Sequence, residues 1–589
     1  MEPSETSIRW SLTDLMPEPS GKAIDSTLSE LESSIRDLEA MRPELTEQIS
    51  PTRFNSILKK LELVDSLMRR LQAYADLWLA EDTQNEAALN LRDRLEQSLV
   101  SLGNRIMFFD LWFKDLPDKE AQHLISQSGD LKYFLDSLRR FKPHTLSEVE
   151  ERLLNIKDVN GIDALVGLYE MITNRFVFSL ELNGEMKNLT RDQLTAYYFN
   201  ASAELREAAY KEFYRVYIEN STILAQIYSH RVRDWHGEGI TLRGYSSPIS
   251  ARNLGNDLPD EVVDTLLAAC RKNAVIFQRY FRMKAGWLGL DKLRRYDIYA
   301  PLAKAEKVYS FDQAKAMVLA SFQEFSPRVA DLARRVFDEH HLDPLPRHGK
   351  RGGAFCSSVL PELTPWVLVN YSGRANNIPT LAHELGHAVH SMLAGTHSVK
   401  AFHPPLPLAE TASVFAEMNM TEHLLRQEQD PIVRRDLMIR TIDDAYITVI
   451  RQAFFTLFEK DAHRMIVEGK SFDEVADQYM LNLVEQFGDS VELSEEFKWE
   501  WITVPHFYNV PFYTYAYSFG QLLVLSLYQQ YRIEGAAFIP KFLKILSYGG
   551  SESPTRILQE AGLDITSADF WQSGFDMLED MITELTKIA

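Results

Sequence analysis

The chain has 589 residues, 45% hydrophobic and 25% charged, a balance that matches globular proteins and excludes collagen-like, fibrous and wholly disordered architectures. Its 63 Lys and Arg against 84 Asp and Glu leave a formal net charge of −21, with the acidic excess spread along the chain; this argues against a phosphate-seeking surface, and so against nucleic acid as a partner. Two cysteines, Cys270 and Cys356, are too few for a disulfide framework or a cysteine-based zinc finger and are expected as small buried hydrophobes.

In chain order, Met1-Glu-Pro-Ser-Glu-Thr6 shows neither the basic nor the apolar region of a secretory signal, and no apolar run reaches the ~18 residues of a membrane span. The expected compartment is the cytoplasm, with no membrane partner. Residues 20–170 read as amphipathic helices; between Leu61 and Leu71 apolar side chains return every three or four positions. Phe176, Phe178, Leu180 and Leu182 alternate and run into Asn183-Gly184, the dipeptide of a tight hairpin. Residues 200–350 return to the helical pattern. Pro365–Tyr371 is a short apolar strand expected to pair with Ala354–Val359, and 376–589 is again helical. The expected fold class is mainly α with a small β-sheet.

Within the last stretch, Asn377 can cap a helix, Pro379 fits its first turn and Gly395 can end it. That helix carries His383-Glu384-Leu-Gly-His387. Residues four apart share a helix face, so His383 and His387 can reach one metal ion. Glu384, about 100° around the helix, is placed to take a proton from a metal-bound water without being a ligand.

A catalytic zinc with two His ligands needs a third protein ligand. The metzincin pattern is excluded because His390 and Leu393 stand where it requires Gly and His. A Glu from a following helix is the other common solution. Glu410, 23 positions after His387 and flanked by Leu408, Ala409 and Ala412, is expected to point inward, where a metal would offset the cost of a buried charge. Glu417, two turns later, can hold a ligand His by its second nitrogen. His390, His397 and His403 are alternative ligands.

The segment from Trp499 to Gly520 breaks the helical pattern with Pro505, Pro511 and a run of aromatics, among them His506, Tyr508, Tyr513, Tyr515 and Tyr517. Imidazole and phenol donors suit an oxyanion site; the other reading is a buried aromatic core.

These regions together resemble the M3 family of zinc metallopeptidases, of the oligoendopeptidase F type, and more distantly thimet oligopeptidase and neurolysin. The likeness includes Trp10-Ser-Leu-Thr-Asp-Leu15, the Asn183-Gly184 hairpin, Tyr296–Leu302, Gly349-Lys-Arg-Gly-Gly-Ala354, Asn370-Tyr-Ser-Gly373 and Ser547–Pro554. It implies one Zn2+ per chain on His383, His387 and Glu410, with Glu384 as the base and His506 and Tyr515 stabilising the oxyanion. Tyr508 and Tyr513 then line the cleft, and the strand at Gly353 and Ala354 pairs with an extended peptide. It further implies an elongated helical body with a deep channel that admits short unstructured peptides, divided into a helical region 1–110, a helical region with the hairpin 111–195, and a catalytic region 196–589. Two other readings are an exopeptidase of another Glu-zinc class, which has Leu406 and Pro407 where its acid would stand, and a helical peptide-binding scaffold with structural zinc.

Overall fold

Ser50 opens the long helix Pro51–Glu81: its hydroxyl accepts from the Arg53 amide at 3.3 Å, and Pro51 sits in the first turn, where its missing N–H costs nothing. Phe54, Leu58, Leu61, Val64 and Leu71 are buried along one face and share a core with Leu31 and Ile35 of the helix Gly21–Met41. The three- and four-residue spacing read from the sequence is the spacing of that buried stripe.

This computed structural model describes residues 9–17, 21–302 and 307–588; the amino-terminal hexapeptide read above lies outside them. The chain forms two compact units, each assembled from separate stretches. One comprises Met1–Thr145, Glu306–Gln427 and Gln530–Leu563; the other comprises Leu146–Ala305, Glu428–Gln529 and Asp564–Ala589. The protein is mainly α, and its strands are short. Among the described residues no helix is long and apolar enough to cross a membrane.

The second unit holds the hairpin of β1 (Phe178–Leu182) and β2 (Glu185–Leu189), whose turn places Asn183 at φ 54° and Gly184 at φ 83°. β3 (Leu293–Arg294) pairs with a late strand in the same unit, Val491–Glu492. A buried charge cluster braces this core. Glu500 Oε1 receives Arg295 at 3.0 Å and Arg451 at 2.8 Å, while Tyr479 donates to Oε2 at 2.9 Å. Burial raises the Glu500 carboxyl, but the two guanidiniums prevail and hold it below the usual range.

The first unit holds a three-stranded sheet in which β6 (Trp366–Leu368) is central, parallel to β4 (Leu342–Asp343) and antiparallel to β5 (Phe355–Ser357). β6 is buried throughout, which is why it reads as an unbroken apolar run. The expected pairing of Pro365–Tyr371 with Ala354–Val359 is present, with Cys356 opposite Val367. β5 is an edge strand. The loop before it is pinned by Lys350, whose ammonium donates to the carbonyls of Asp343, Leu345 and Val369 and pairs with the Asp343 carboxylate. Gly349 stands at φ 80° against Asp82, where a β-carbon would lie 2.3 Å from Oδ1. A larger residue there is strained by the left-handed backbone and has to displace the Asp82 carboxylate.

Two helices of the first unit carry the site: α1 (Asn377–Ala394) and α2 (Thr411–Gln427). Asn377 does not cap α1 as expected. It is the first helical residue, and its Oδ1 accepts from the Ser372 and Arg374 amides, tying down the turn that leads into the helix. Gly395 does end α1, with φ at −64°; its missing side chain matters because a β-carbon would lie 2.6 Å from the Pro361 carbonyl.

Candidate metal centre

α1 buries Leu381, Leu385, Ala388 and Val389 on one face and leaves His383 and His387 half-buried on another. The two rings stand 5.0 Å apart and nearly perpendicular. Nε2 of each lies 3.3 Å from Oε2 of Glu410. Glu410 occupies the break between the short turn Leu406–Ala409 and α2, and the same oxygen accepts from the Ser413 hydroxyl at 2.7 Å.

This convergence depends on Gly386, inside the motif. α1 packs so closely on α2 that a β-carbon at 386 would lie 2.6 Å from the Ala412 carbonyl oxygen and 2.6 Å from the Ser413 Cα. Any side chain there moves the helix whose first turn adjoins Glu410.

Glu417, one face along α2, meets Nδ1 of His383 at 3.0 Å. A carboxylate acceptor requires a proton on Nδ1, so in the neutral ring it is Nε2 that turns its lone pair toward Glu410 and His387. Burial pushes the His383 imidazole down, but hydrogen bonds to Glu410 and Glu417 outweigh it and hold it up at about 10. Glu410 is likewise raised by burial, and the imidazoles then drive it well below the carboxylate range.

The donor set fits a divalent metal. One nitrogen from each His and one carboxylate oxygen lie within 4.8 Å of one another, and two nitrogens with one oxygen is a ligand set of catalytic zinc sites. A second group within the same distance of one another, Asp14, Glu339 and His341, is braced by Arg335 on Glu339 and by Asp14 on His341. Of the alternative ligands, His397 is engaged by Asp130 and the Ser547 carbonyl. Burial holds His390 down to about 3 and His403 down to about 4. Both line the cavity without joining the cluster.

That cavity, of about 610 Å³, is lined by His383, Glu384, His387 and Glu410 together with Ala354, Cys356, His390, Ser391 and His403. Glu384 is 7% exposed, and burial raises its carboxyl against the opposing pull of His383 and His387. β5 runs along the cavity with its outer edge unpaired by any other strand among the described residues. Gly353 precedes it at φ 79°, its carbonyl held by the Asn370 side chain at 2.8 Å. Cys270 is buried as expected, whereas Cys356 is half-buried and faces the cavity, because β5 is an edge strand.

In the second unit, His506 is half-buried. Tyr513 stacks on its ring at 5.6 Å, and the Tyr517 hydroxyl reaches its Nε2 at 3.3 Å. Tyr508 and Tyr515 are not part of this cluster. Tyr508 is enclosed, stacked on Tyr169 at 3.7 Å with its hydroxyl donating to the Leu224 and Ile502 carbonyls. Tyr515 is equally enclosed, and its hydroxyl accepts from Asn256 at 2.8 Å. Spacing alone does not single out Tyr517, because Tyr513 precedes the helix that begins at Tyr515 and the helical four-residue rule does not run from it.

A helical fold that brings the two His of an HExxH helix onto a Glu just ahead of the next helix, around a cavity edged by a strand, defines a metallopeptidase. The sequence agrees. Residues 197–577 match the profile of "Peptidase family M3" and residues 112–178 that of "Oligopeptidase F". The chain belongs to peptidase family M3. It is 25% identical over 590 residues to the oligopeptidase PepF of Bacillus subtilis, covering 98% of this chain and 87% of that one. It is also 26% identical over 554 residues to the group B oligopeptidase PepB of Streptococcus agalactiae, covering 91% and 90%. A solved chain from Chlamydophila abortus shares the fold with a TM-score of 0.89 at 23% identity, covering 100% of this chain and 99% of that one; the oligoendopeptidase-F of Enterococcus faecium gives 0.73 at 23%, covering 96% and 99%.

Proposed function

We propose that this protein is a zinc-dependent oligoendopeptidase that hydrolyses internal bonds of short, unstructured peptides, with one Zn2+ held by His383, His387 and Glu410. The observation that carries the reading is the convergence of those three side chains on one point in a cavity that also holds Glu384. Zinc bound there supplies Lewis acidity toward a carbonyl oxygen and toward water.

The remaining work falls to the chain itself. Glu384, kept in a buried setting that raises its proton affinity, takes a proton from water at its carboxylate and passes it to the departing amine. Glu417 fixes the His383 tautomer. The free edge of β5, with Gly353 and Ala354 at its start, offers backbone groups to an extended peptide in the manner of an added strand. His506 donates to the developing oxyanion, and Tyr517, which touches its ring nitrogen, serves beside it. Tyr513 stacks on His506 and contributes to the substrate surface. The roles of Tyr508 and Tyr515 are to hold this segment in place. The two free cysteines fit a cytoplasmic setting.

Glu384→Gln tests the reading. The variant is expected to fold and to keep its metal while turnover falls by about two to four orders of magnitude. Near-normal hydrolysis by a metal-loaded variant contradicts it.

A further inference from the structure

Within the second unit, the helix α3 (Gln452–Val467) carries an acid that the chemistry above leaves unused. Glu459 is 0% exposed, and among the described residues no Lys or Arg forms an ion pair with it. Nε2 of His463 lies 3.8 Å from Oε1 of Glu459. Burial pushes the Glu459 carboxyl up to about 8, against weaker opposing pulls from the Phe512 amide, Arg252 and Arg231, and pushes His463 down to about 3. At 3.8 Å the approach is too long for a hydrogen bond. An unpaired acid in a core is costly, and its other oxygen, Oε2, has no hydrogen-bond partner among the described residues. Leu or Met would fill the same space without that cost.

What the acid does have among the described residues is a hydrogen bond: Oε1 accepts from the backbone N–H of Phe512 at 3.0 Å. Phe512 stands at φ 57°, a left-handed conformation that bulky side chains rarely adopt, and its ring is buried against His463 at 4.6 Å. It lies between the turn Pro505–Asn509, which carries His506, and the residues Tyr513 and Tyr517. The parallel stack of His506 on Tyr513, 4° from coplanar, and the 3.3 Å contact from Tyr517 both span this one residue. The same turn is held by Arg252 on the Pro511 carbonyl at 3.0 Å and by Thr456 of α3, whose hydroxyl meets that of Thr514 at 2.8 Å.

We propose that Glu459 is a positioning residue: as a buried acceptor it locks the left-handed turn at Phe512, and that turn sets the mutual orientation of His506, Tyr513 and Tyr517. The feature this role requires is the acceptor oxygen aimed at the Phe512 N–H. The inference rests on the reading of His506 and Tyr517 as oxyanion donors. Groups that act mainly in the transition state leave their mark on kcat, with little on KM.

The test uses the zinc-loaded full chain, a quenched peptide blocked at both ends, and four variants checked for folded signal and metal content. Glu459→Gln keeps a neutral acceptor of the same shape and is expected within about twofold of wild-type kcat. Glu459→Met keeps the length without the acceptor and is expected to lose about tenfold or more in kcat with KM within about twofold. Phe512→Ile leaves Glu459 intact but disfavours the left-handed turn; it is expected to show the same kcat-selective loss, and it carries the test if the Met variant does not fold. Equal losses in the Gln and Met variants, or a Met or Ile variant with wild-type kcat, overturn the proposal. His506→Ala separates the two readings: unchanged kcat there overturns the donor reading, whereas low kcat there beside a fully active Met variant overturns the positioning role alone.

Discussion

Oε2 of Glu417 lies 3.0 Å from Nδ1 of His383, so a carboxylate on α2 dictates which nitrogen of a ring on α1 faces the metal centre. Replacing Glu417 by Ala leaves the ring free to turn and to change tautomer. Zinc affinity is expected to fall about 10- to 100-fold, with most of it recovered in Glu417→Gln, which keeps an acceptor. Competition with a chromogenic chelator measures this; equal affinity in wild type and the Ala variant contradicts it.

Gly386→Ala places a methyl group 2.6 Å from the backbone of Ala412 and Ser413. Neither atom belongs to a flexible side chain, so α1 and α2 must separate. The expected cost is about 1–3 kcal/mol in denaturant unfolding, with weaker zinc binding because Glu410 adjoins the displaced helix. A variant with wild-type stability and metal affinity contradicts the close crossing.

Tyr517→Phe and Tyr515→Phe are expected to part company. Loss of the 517 hydroxyl removes a group that touches His506 and is expected to lower kcat about 10- to 100-fold with little change in stability. Loss of the 515 hydroxyl strands the Asn256 amide in the core, costing about 1–3 kcal/mol of stability with a smaller change in kcat. Steady-state kinetics and thermal unfolding of both variants check this, and the reverse pattern contradicts the assignment.

In the second unit Asp297, 0% exposed, accepts from Arg206 at 2.7 Å and from Arg294 through both of its oxygens. Burial raises its carboxyl, but the guanidiniums prevail and hold it below its ordinary value. A carboxyl lowered on folding contributes fully above its unfolded value of about 4, and that contribution is lost as pH falls through the lower native value. Asp297→Asn is therefore expected to cost about 3–5 kcal/mol at neutral pH, with the gap from wild type narrowing below about pH 4. A pH-independent gap in urea unfolding contradicts this.

The parts of this structure that were legible in sequence are those set by local rules. The hairpin at Asn183-Gly184 follows from positive φ, and the pairing of β5 with β6 from an apolar run facing a short alternate one. The sharing of a face by His383 and His387 follows from helix geometry. What was not legible depends on approach between distant segments. Gly386 reads as an ordinary helix residue until α2 is seen against it. Glu410 was expected on an apolar helix and stands instead at a break between two helical pieces, from which its carboxylate reaches both rings. Among four tyrosines within ten residues, spacing separates Tyr517 from Tyr515 only once the start of the helix at Tyr515 is known.

The most direct measurement is a zinc titration of the metal-stripped protein, following cleavage of an internally quenched peptide blocked at both ends. Activity is expected to be absent without metal and to rise linearly to a plateau at one zinc per chain in the wild type, with no rise at stoichiometric zinc in Glu410→Ala. Cleavage by the stripped protein, or a fully zinc-loaded wild type that leaves the blocked peptide intact, contradicts the account.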